Sequence, residues 1–260
     1  MARHLDTWQN SRCFTLVEVL VVMGIVAVIV GLLVPALARA RTTSRAAGCL
    51  SQVRQIGLAA AMYQNDYDGF IPRESTIGTS PQTLRDRIPW GVAFRPYLDP
   101  RCSPEHDLDD MFEAAPYFRC PAKVSGEHRI HYVVNGFAFL APGIVDERGA
   151  AEPSLRRGPM RASSIPFPTS TLYITDLAPD DDGVLFQHFQ AQGNTDLSIG
   201  QCYDAWLPRH ITAGYEDYRI GPKTHGRGAN AMFVDGHAAA RPTEYFVELS
   251  AWDDGVRSVP

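Results

Sequence analysis

The sequence predicts an α+β protein: a long N-terminal helix, membrane-spanning and then amphipathic, packed on a head that carries an antiparallel β-sheet. Three observations carry that prediction. The stretch Cys13 to Ala38, CFTLVEVLVVMGIVAVIVGLLVPALA, is apolar except for one carboxylate, Glu18, and follows a cation, Arg12. Residues 36–67 contain no proline and set arginines against an aliphatic and alanine stripe. Further on, β-branched and aromatic segments lead into Asp235-Gly236, a strong hairpin signal.

As a helix, the twenty-five residues from Phe14 to Ala38 rise roughly 37 Å, more than the roughly 30 Å of bilayer hydrocarbon. Segment 14–38 is therefore long enough to span a membrane. Two rivals are a secretory signal peptide and a plain uncleaved anchor. Ala36-Leu37-Ala38 imitates a signal-peptide cleavage site, and Arg3 and Arg12 supply a basic start. However, the core from Leu16 to Val34 exceeds the roughly 7 to 15 residues usual for such peptides. A carboxylate within hydrocarbon is costly unless paired, so Glu18 is read as functional, with a positive amine as its natural partner. The alternative for Glu18 is simple solvation among lipid headgroups.

Residues 39–69 read as an amphipathic continuation of the same helix. Leu50, Val53 and Gly57 recur at i, i+3 and i+7, with Ala46, Ala60 and Ala61 nearby. Pro35 lacks the amide proton that would reach residue 31 and is expected to kink or open the helix beside Gly31. Asn65-Asp66-Tyr67-Asp68-Gly69 ends it, Gly69 suiting the left-handed capping position and Pro72 following. The glycine arrives too early for a D-x-D-x-D-G calcium loop, so this run is read as a helix stop.

Residues 70–260 form the head. Within it, Trp90 to Leu98 is expected to be a short helix or extended element and Asp107 to Ala114 a second. Arg129 to Leu140 and Ser170 to Asp176 read as strands, with 141–169 mostly loop because of its prolines and glycines. Near 225–241 the run into Asp235-Gly236 predicts a hairpin with a two-residue type I′ turn, returning over His237 to Arg241 and halted by Pro242. The sequence shows no internal repeat.

The 260 residues suffice for one membrane segment and one globular domain. The formal charge of −5 argues against general nucleic-acid binding, and no nucleic-acid partner is expected. Five cysteines occur, at 13, 49, 102, 120 and 202. Outside the cytoplasm, the four beyond Cys13 suggest two disulfides with three possible connectivities, Cys49 with Cys120 and Cys102 with Cys202 being preferred. Zinc is the rival use of these thiols, but the sequence has no C-x2-C pair. No cofactor is expected. Asp176, Asp180 to Asp182 and Asp235 read as ordinary turn residues, Asp180 to Asp182 with Gly183 forming an acidic turn. An acid-base or metal site made of His225, Asp235 and His237 is opposed by geometry. Residues 229–234, if extended, hold His225 roughly 20 Å from the Asp235 turn.

Arg12-Cys13-Phe14-Thr15-Leu16-Val17-Glu18, followed by an unbroken aliphatic run and Pro35, closely resembles the leader of type IV pilins and type II secretion pseudopilins. The resemblance implies that residues 1–13 are a leader removed by a prepilin peptidase between Cys13 and Phe14, with methylation of Phe14. Cys13 stands where the family usually has glycine. Cleavage would remove two arginines and one aspartate, leaving a charge of −6. Glu18 becomes the family's acid at the fifth mature position, paired with the Phe14 amine of a neighbouring subunit, and Pro35 its proline at the twenty-second. His225, nine residues and then Asp235-Gly236 match the His-x9-Asp-Gly signature of bacterial prepilin-like proteins, as do Cys49 to Leu58 and Cys120-Pro121. The resemblance implies a pilin or pseudopilin subunit, not an enzyme; because related secretion pseudopilins hold calcium in a loop of the head, it also makes calcium the one candidate ion, with Asp176, Asp180 and Asp235 as possible ligands. It would be single-pass in the inner membrane with its head on the extracytoplasmic side, and its partners would be the peptidase, other pilin-like subunits and an assembly platform.

One alternative is a membrane-tethered binding or adhesin-type minor subunit that uses Trp206, Tyr215 and Tyr218. The other is an anchored hydrolase, for which neither G-x-S-x-G nor H-E-x-x-H is present.

Overall fold

The computed structural model describes residues 15–72, 90–102, 115–123, 128, 130–136, 160–165, 167–179, 204–205, 208–215 and 218–252. The chain divides into two compact units, Met1–Ser44 and Arg45–Pro260. Its architecture is α+β, as the sequence predicts.

Helix α1, Leu16–Asp66, is one continuous helix with Pro35 inside it. It is long and apolar enough to cross a membrane. In the first unit every described residue, from Thr15 to Ser44, is exposed. Large hydrophobics from Leu16 to Leu37 stand 47–76 % exposed. The helix begins with a reciprocal cap that the residues Thr15-x-x-Glu18 make possible. The Thr15 backbone N and Oγ1 both donate to Glu18 Oε2 at 2.8 Å, and the Glu18 N–H donates back to Thr15 Oγ1 at 3.3 Å. Such a capping box satisfies amide donors that the first turn leaves without partners.

Within the second unit α1 buries Cys49, Val53, Ile56, Gly57, Ala59, Ala60 and Tyr63. The buried stripe thus runs 49, 53, 56, 60, 63 and not along Leu50 and Ala61 as the sequence suggested. Leu50 is only half-buried and Ala61 is exposed. Cys49 and Tyr63, which fix the ends of this stripe, count weakly as apolar in a pattern search. The helix stops as expected: Asp68 and Gly69 take positive φ of 53° and 78°, and the Gly69 N–H reaches back to Gln64 O at 2.7 Å. This bond closes the last turn.

Strand β1, Phe70–Ile71, pairs antiparallel with β3, Met160–Arg161. Helix α2, Trp90–Leu98, packs Trp90 and Phe94 into the core beside Phe118 and Tyr173. The main sheet has the order β5-β2-β4-β6-β7, with β2 Tyr132–Asn135, β4 Leu172–Asp176, β5 Asp204–Ala205, β6 Gly228–Phe233 and β7 Ala238–Pro242. Four strands are antiparallel to their neighbours, and β5 adds a two-residue parallel edge. Every residue of β2 and β4 is buried, so both strands are covered on both faces. Strand β7 is half-exposed and lies at the sheet edge, which lets it include Pro242 where the missing amide proton breaks no ladder bond.

Two polar ties hold this core in register. Asn135 Nδ2, fully buried, donates to Leu172 O at 2.6 Å and to Trp252 O at 2.7 Å, fastening the C-terminal helices to the sheet. Tyr173 OH donates to Pro72 O. His131, on the lead-in to β2, is buried as well. Burial, aided by the nearby Lys123 charge, lowers its pKa from 6.5 to about 4. A folded-state pKa below the unfolded value means that protons favour unfolding as pH drops from about 6.5 to about 4. We expect the unit to lose on the order of 2 kcal/mol between pH 7 and pH 5 from this group, and His131→Phe to flatten that dependence in denaturant melts.

Expected elements at Asp107–Ala114 and in the strand beyond Gly136 lie outside the described residues, as do Cys13, Phe14, Asp180, Cys202 and Trp206.

Candidate functional site

All contacts of the His-x9-Asp-Gly segment described below lie within the unit Arg45–Pro260. Its His225 sits in the turns before β6, where Gly226 adopts a positive φ of 89° and the His225 N–H donates to Gly228 O at 2.9 Å. That turn aims the imidazole inward. Nε2 lies 2.8 Å from Asn230 Nδ2, 3.3 Å from Asp176 Oδ2 and 3.8 Å from Cys120 Sγ. Asp176 ends β4 and is fully buried, and its Oδ2 also accepts the Asn230 backbone N–H at 2.8 Å. Cys120 is bonded to Cys49 of α1.

The structure thus joins Cys49 to Cys120 and leaves Cys102 as a free cysteine, its sulfur accepting from Arg95 Nε at 2.7 Å. The expected pairing of Cys102 with Cys202 is not made at Cys102. The disulfide closes a separation of 71 residues and ties α1 to the Cys120-Pro121 turn. Around it, Gln52 Nε2 donates to Pro116 O at 3.1 Å, and Tyr132 OH donates to Gln52 Oε1 at 3.1 Å.

At the other end of β6 the chain reverses over Val234-Asp235-Gly236. Gly236 alone takes positive φ, 87°; the Gly236 N–H donates to Phe233 O and the Phe233 N–H to His237 O, both at 2.9 Å. This is a three-residue turn closed by a left-handed glycine, not the expected two-residue type I′ turn. Asp235 accounts for the difference. Its Oδ1 accepts the His237 N–H at 3.1 Å and contacts His237 Nδ1 at 2.6 Å, using the carboxylate as a cap that needs no positive φ at Asp235. The His237 ring stacks on Phe233 with centroids 4.3 Å apart.

The turn also presses on α1. A Cβ placed on Gly57 would fall 2.3 Å from Gly236 O, so glycine at 57 is what admits the Asp-Gly turn to the helix backbone. The signature therefore marks two docking points: His225 at the Cys49 disulfide and Gly236 at Gly57, eight residues further along the same helix. Strand β6, about 16 Å long if extended, connects them.

These contacts keep His225 and Asp235 at opposite ends of β6, as the spacing implied. Of the calcium candidates, Asp176 joins His225 and Asp235 joins His237, so the two are held apart. A cleft of about 670 Å³ is lined by Ala122, Lys123, Tyr218, Lys223, Thr224 and Val247 among others, next in sequence to the Cys120-Pro121 turn and to His225. Burial raises the Tyr218 pKa to about 12, and Tyr215 is exposed. Lys123 Nζ donates to Leu177 O at 2.5 Å and Ala178 O at 2.8 Å.

Asp176 and Asn230 as partners of His225 were not legible beforehand. The two carry no motif, and Asp176 lies 49 positions upstream of His225 and is brought alongside only by the β4–β6 pairing.

Residues 8–34 match the prokaryotic N-terminal methylation motif. Residues 38–188, more than half of the chain, match a family described as a protein of unknown function (DUF1559). The chain belongs to the DUF1559 family. No curated protein and no solved structure matches it. Together the two matches make this DUF1559 protein prepilin-like, with a motif of the kind processed by a peptidase and an apolar helix suited to membrane anchoring. Its family match covers α1 from Ala38, both disulfide cysteines and Asp176, while His225 and the Asp-Gly turn lie beyond the matched range.

Proposed function

We propose that this chain is a filament-forming pilin or pseudopilin subunit whose work is assembly, not catalysis. Residues 14–38 hold the precursor in the inner membrane, a prepilin peptidase cuts between Cys13 and Phe14, and an assembly platform moves the subunit into a fibre of itself or related subunits. The head, from Arg45 onward, stays on the extracytoplasmic side.

One observation supports this most: the apolar surface of α1 from Leu16 to Leu37, with side chains 47–76 % exposed, is covered by none of the described residues. Water is an unfavourable solvent for such a surface. At about 25 cal/mol per Å² of apolar area, lipid and then the helices of neighbouring subunits are the stable coverings. Thr15 and Glu18 sit at the start of that helix, where pairing with the Phe14 amine of a neighbouring subunit would form.

Mass spectrometry of the protein purified from membranes tests the reading. Methylated Phe14 at the amino terminus is the expected result. Chains that retain Met1, or that begin at Arg39, would overturn it.

The cleft beside Tyr218 and Lys223 favours a second reading, in which the subunit is a minor, ligand-binding component of the same kind of fibre. Lys223→Glu with Tyr218→Ala should then abolish attachment to the ligand and leave fibre number unchanged, counted by electron microscopy.

A further inference from the structure

We propose that Cys49, Cys120, His225 and Asp176, once the disulfide is reduced, form a tetrahedral site for a divalent cation of the zinc class. Three facts point there. The two sulfurs and His225 Nε2 already lie within 4.8 Å of one another. A four-coordinate zinc with Zn–S near 2.3 Å and Zn–N or Zn–O near 2.0–2.1 Å sets neighbouring ligand atoms roughly 3.3–3.8 Å apart. Nε2 stands 3.3 Å from Asp176 Oδ2 and 3.8 Å from Cys120 Sγ, so two edges of such a tetrahedron are in place.

The second fact is the surplus of lone pairs. Asn230 Nδ2 can only donate, which makes Nε2 of His225 an acceptor as placed, and it faces a carboxylate oxygen and a sulfur that are acceptors too. Acceptors converging on one buried point are stabilised by a cation between them. Third, Asp176 Oδ1 is buried with no hydrogen-bond partner among the described residues. A buried carboxylate with one oxygen unpaired is poorly compensated, and a cation held at its Oδ2 would neutralise the charge that the orphaned Oδ1 shares.

A disulfide sulfur is a neutral, poor ligand, whereas thiolates bind zinc strongly, so the redox state decides which bond pins α1 to the sheet. In the oxidised chain it is the Cys49–Cys120 bond. In the reduced chain the cation would hold Cys49 of α1 against Cys120, β4 and the turn before β6. Before export the two thiols have yet to be oxidised; once the bond has formed, two equivalents of a small thiol reduce it, giving both protein thiols and one small-molecule disulfide. Cation binding then releases the two thiol protons to solvent.

The test uses the full chain in detergent micelles. A trialkylphosphine serves as reductant because it supplies no competing thiolate; it takes up the oxygen of one water, becoming the phosphine oxide, and leaves both sulfurs as thiols. Titration with Co²⁺ should then produce a thiolate-to-cobalt charge-transfer band and the intense visible bands of a four-coordinate ion at one equivalent per chain. Zn²⁺ should displace it. The untreated, oxidised chain and the double variant Cys49→Ser/Cys120→Ser should show neither band, although Cys102 is present in both. Replacement His225→Gln should weaken Co²⁺ binding by at least about tenfold, as should Asp176→Asn. If the reduced wild-type chain gives no four-coordinate spectrum, or the double-serine variant keeps it, the site does not exist. Unaltered affinity in a folded His225→Gln variant would equally overturn it.

Discussion

Gly57→Ala lowers the stability of the head by roughly 2 kcal/mol, against what helix propensity alone dictates. Alanine in place of an exposed mid-helix glycine stabilises a helix by about 1 kcal/mol. At residue 57 the new methyl lands 2.3 Å from Gly236 O and near Met232 Sδ at 3.2 Å. The first of these is backbone, held by the Gly236 N–H bond to Phe233 O and the Asp235 N–H bond to Pro168 O at 3.2 Å, so it cannot swing aside as a side-chain end would. Either α1 or the Asp-Gly turn has to shift, and a clash this short against backbone belongs at the upper end of the roughly 1–3 kcal/mol that overpacking costs, from which alanine's helix gain of about 1 kcal/mol is subtracted. For a unit of this size the thermal midpoint should fall by roughly 4–8 °C. Gly48→Ala is the internal control. It lies on the same helix, and its Cβ would meet only Pro121 Cγ at an ordinary 3.7 Å, so the midpoint should hold or rise. A Gly57→Ala protein melting at or above wild type would show that the turn does not rest on the helix backbone.

That contact also shows which parts of the molecule were readable in one dimension. Features that depend on a few adjacent residues came through: the apolar run, the helix stop at Asp68-Gly69, α2 at Trp90–Leu98 and the strands around Tyr132 and Leu172. The type of turn at Asp235-Gly236 did not. Both type I′ and the observed three-residue turn accept Asp-Gly, and the choice is made by the Asp235 carboxylate capping His237 and by the close approach of Gly57. Strand β5 was missed because two residues paired in parallel carry no alternation to read. The buried stripe of α1 was misregistered because its ends are Cys49 and Tyr63, whose burial follows from the disulfide and from stacking on Tyr67 with centroids 4.2 Å apart. The neighbourhood of His225 was out of reach for the most general reason: it assembles four chain segments separated by dozens of residues. The capping box at Thr15-x-x-Glu18 is a local pattern that was missed, because Glu18 was read only as a charge in need of a partner, and it changes what Glu18 can be asked to do.

Glu18 now has two functions that substitutions can separate. Its carboxylate caps the first turn of α1 through Thr15, and on the proposed function it also neutralises a Phe14 amine in the assembled fibre. Glutamine keeps the first and removes the second, because an amide oxygen at the third helical position serves a capping box as well as a carboxylate does. Alanine removes both. A lost cap costs about 1 kcal/mol at a helix end, too little to eject a helix with this much apolar surface from a bilayer, so both variants should remain in the membrane fraction at wild-type levels. An unpaired charge buried among packed helices costs far more than a cap, and a matched opposite charge is the arrangement that offsets it. Glu18→Gln should therefore abolish fibres as completely as Glu18→Ala, scored by sheared-filament yield, while leaving peptidase processing intact. Wild-type fibre yield from Glu18→Gln alongside loss in Glu18→Ala would assign the residue to the cap and retire the charge pairing. Fibres from both variants would mean that neither the cap nor the charge is required for packing of the helices.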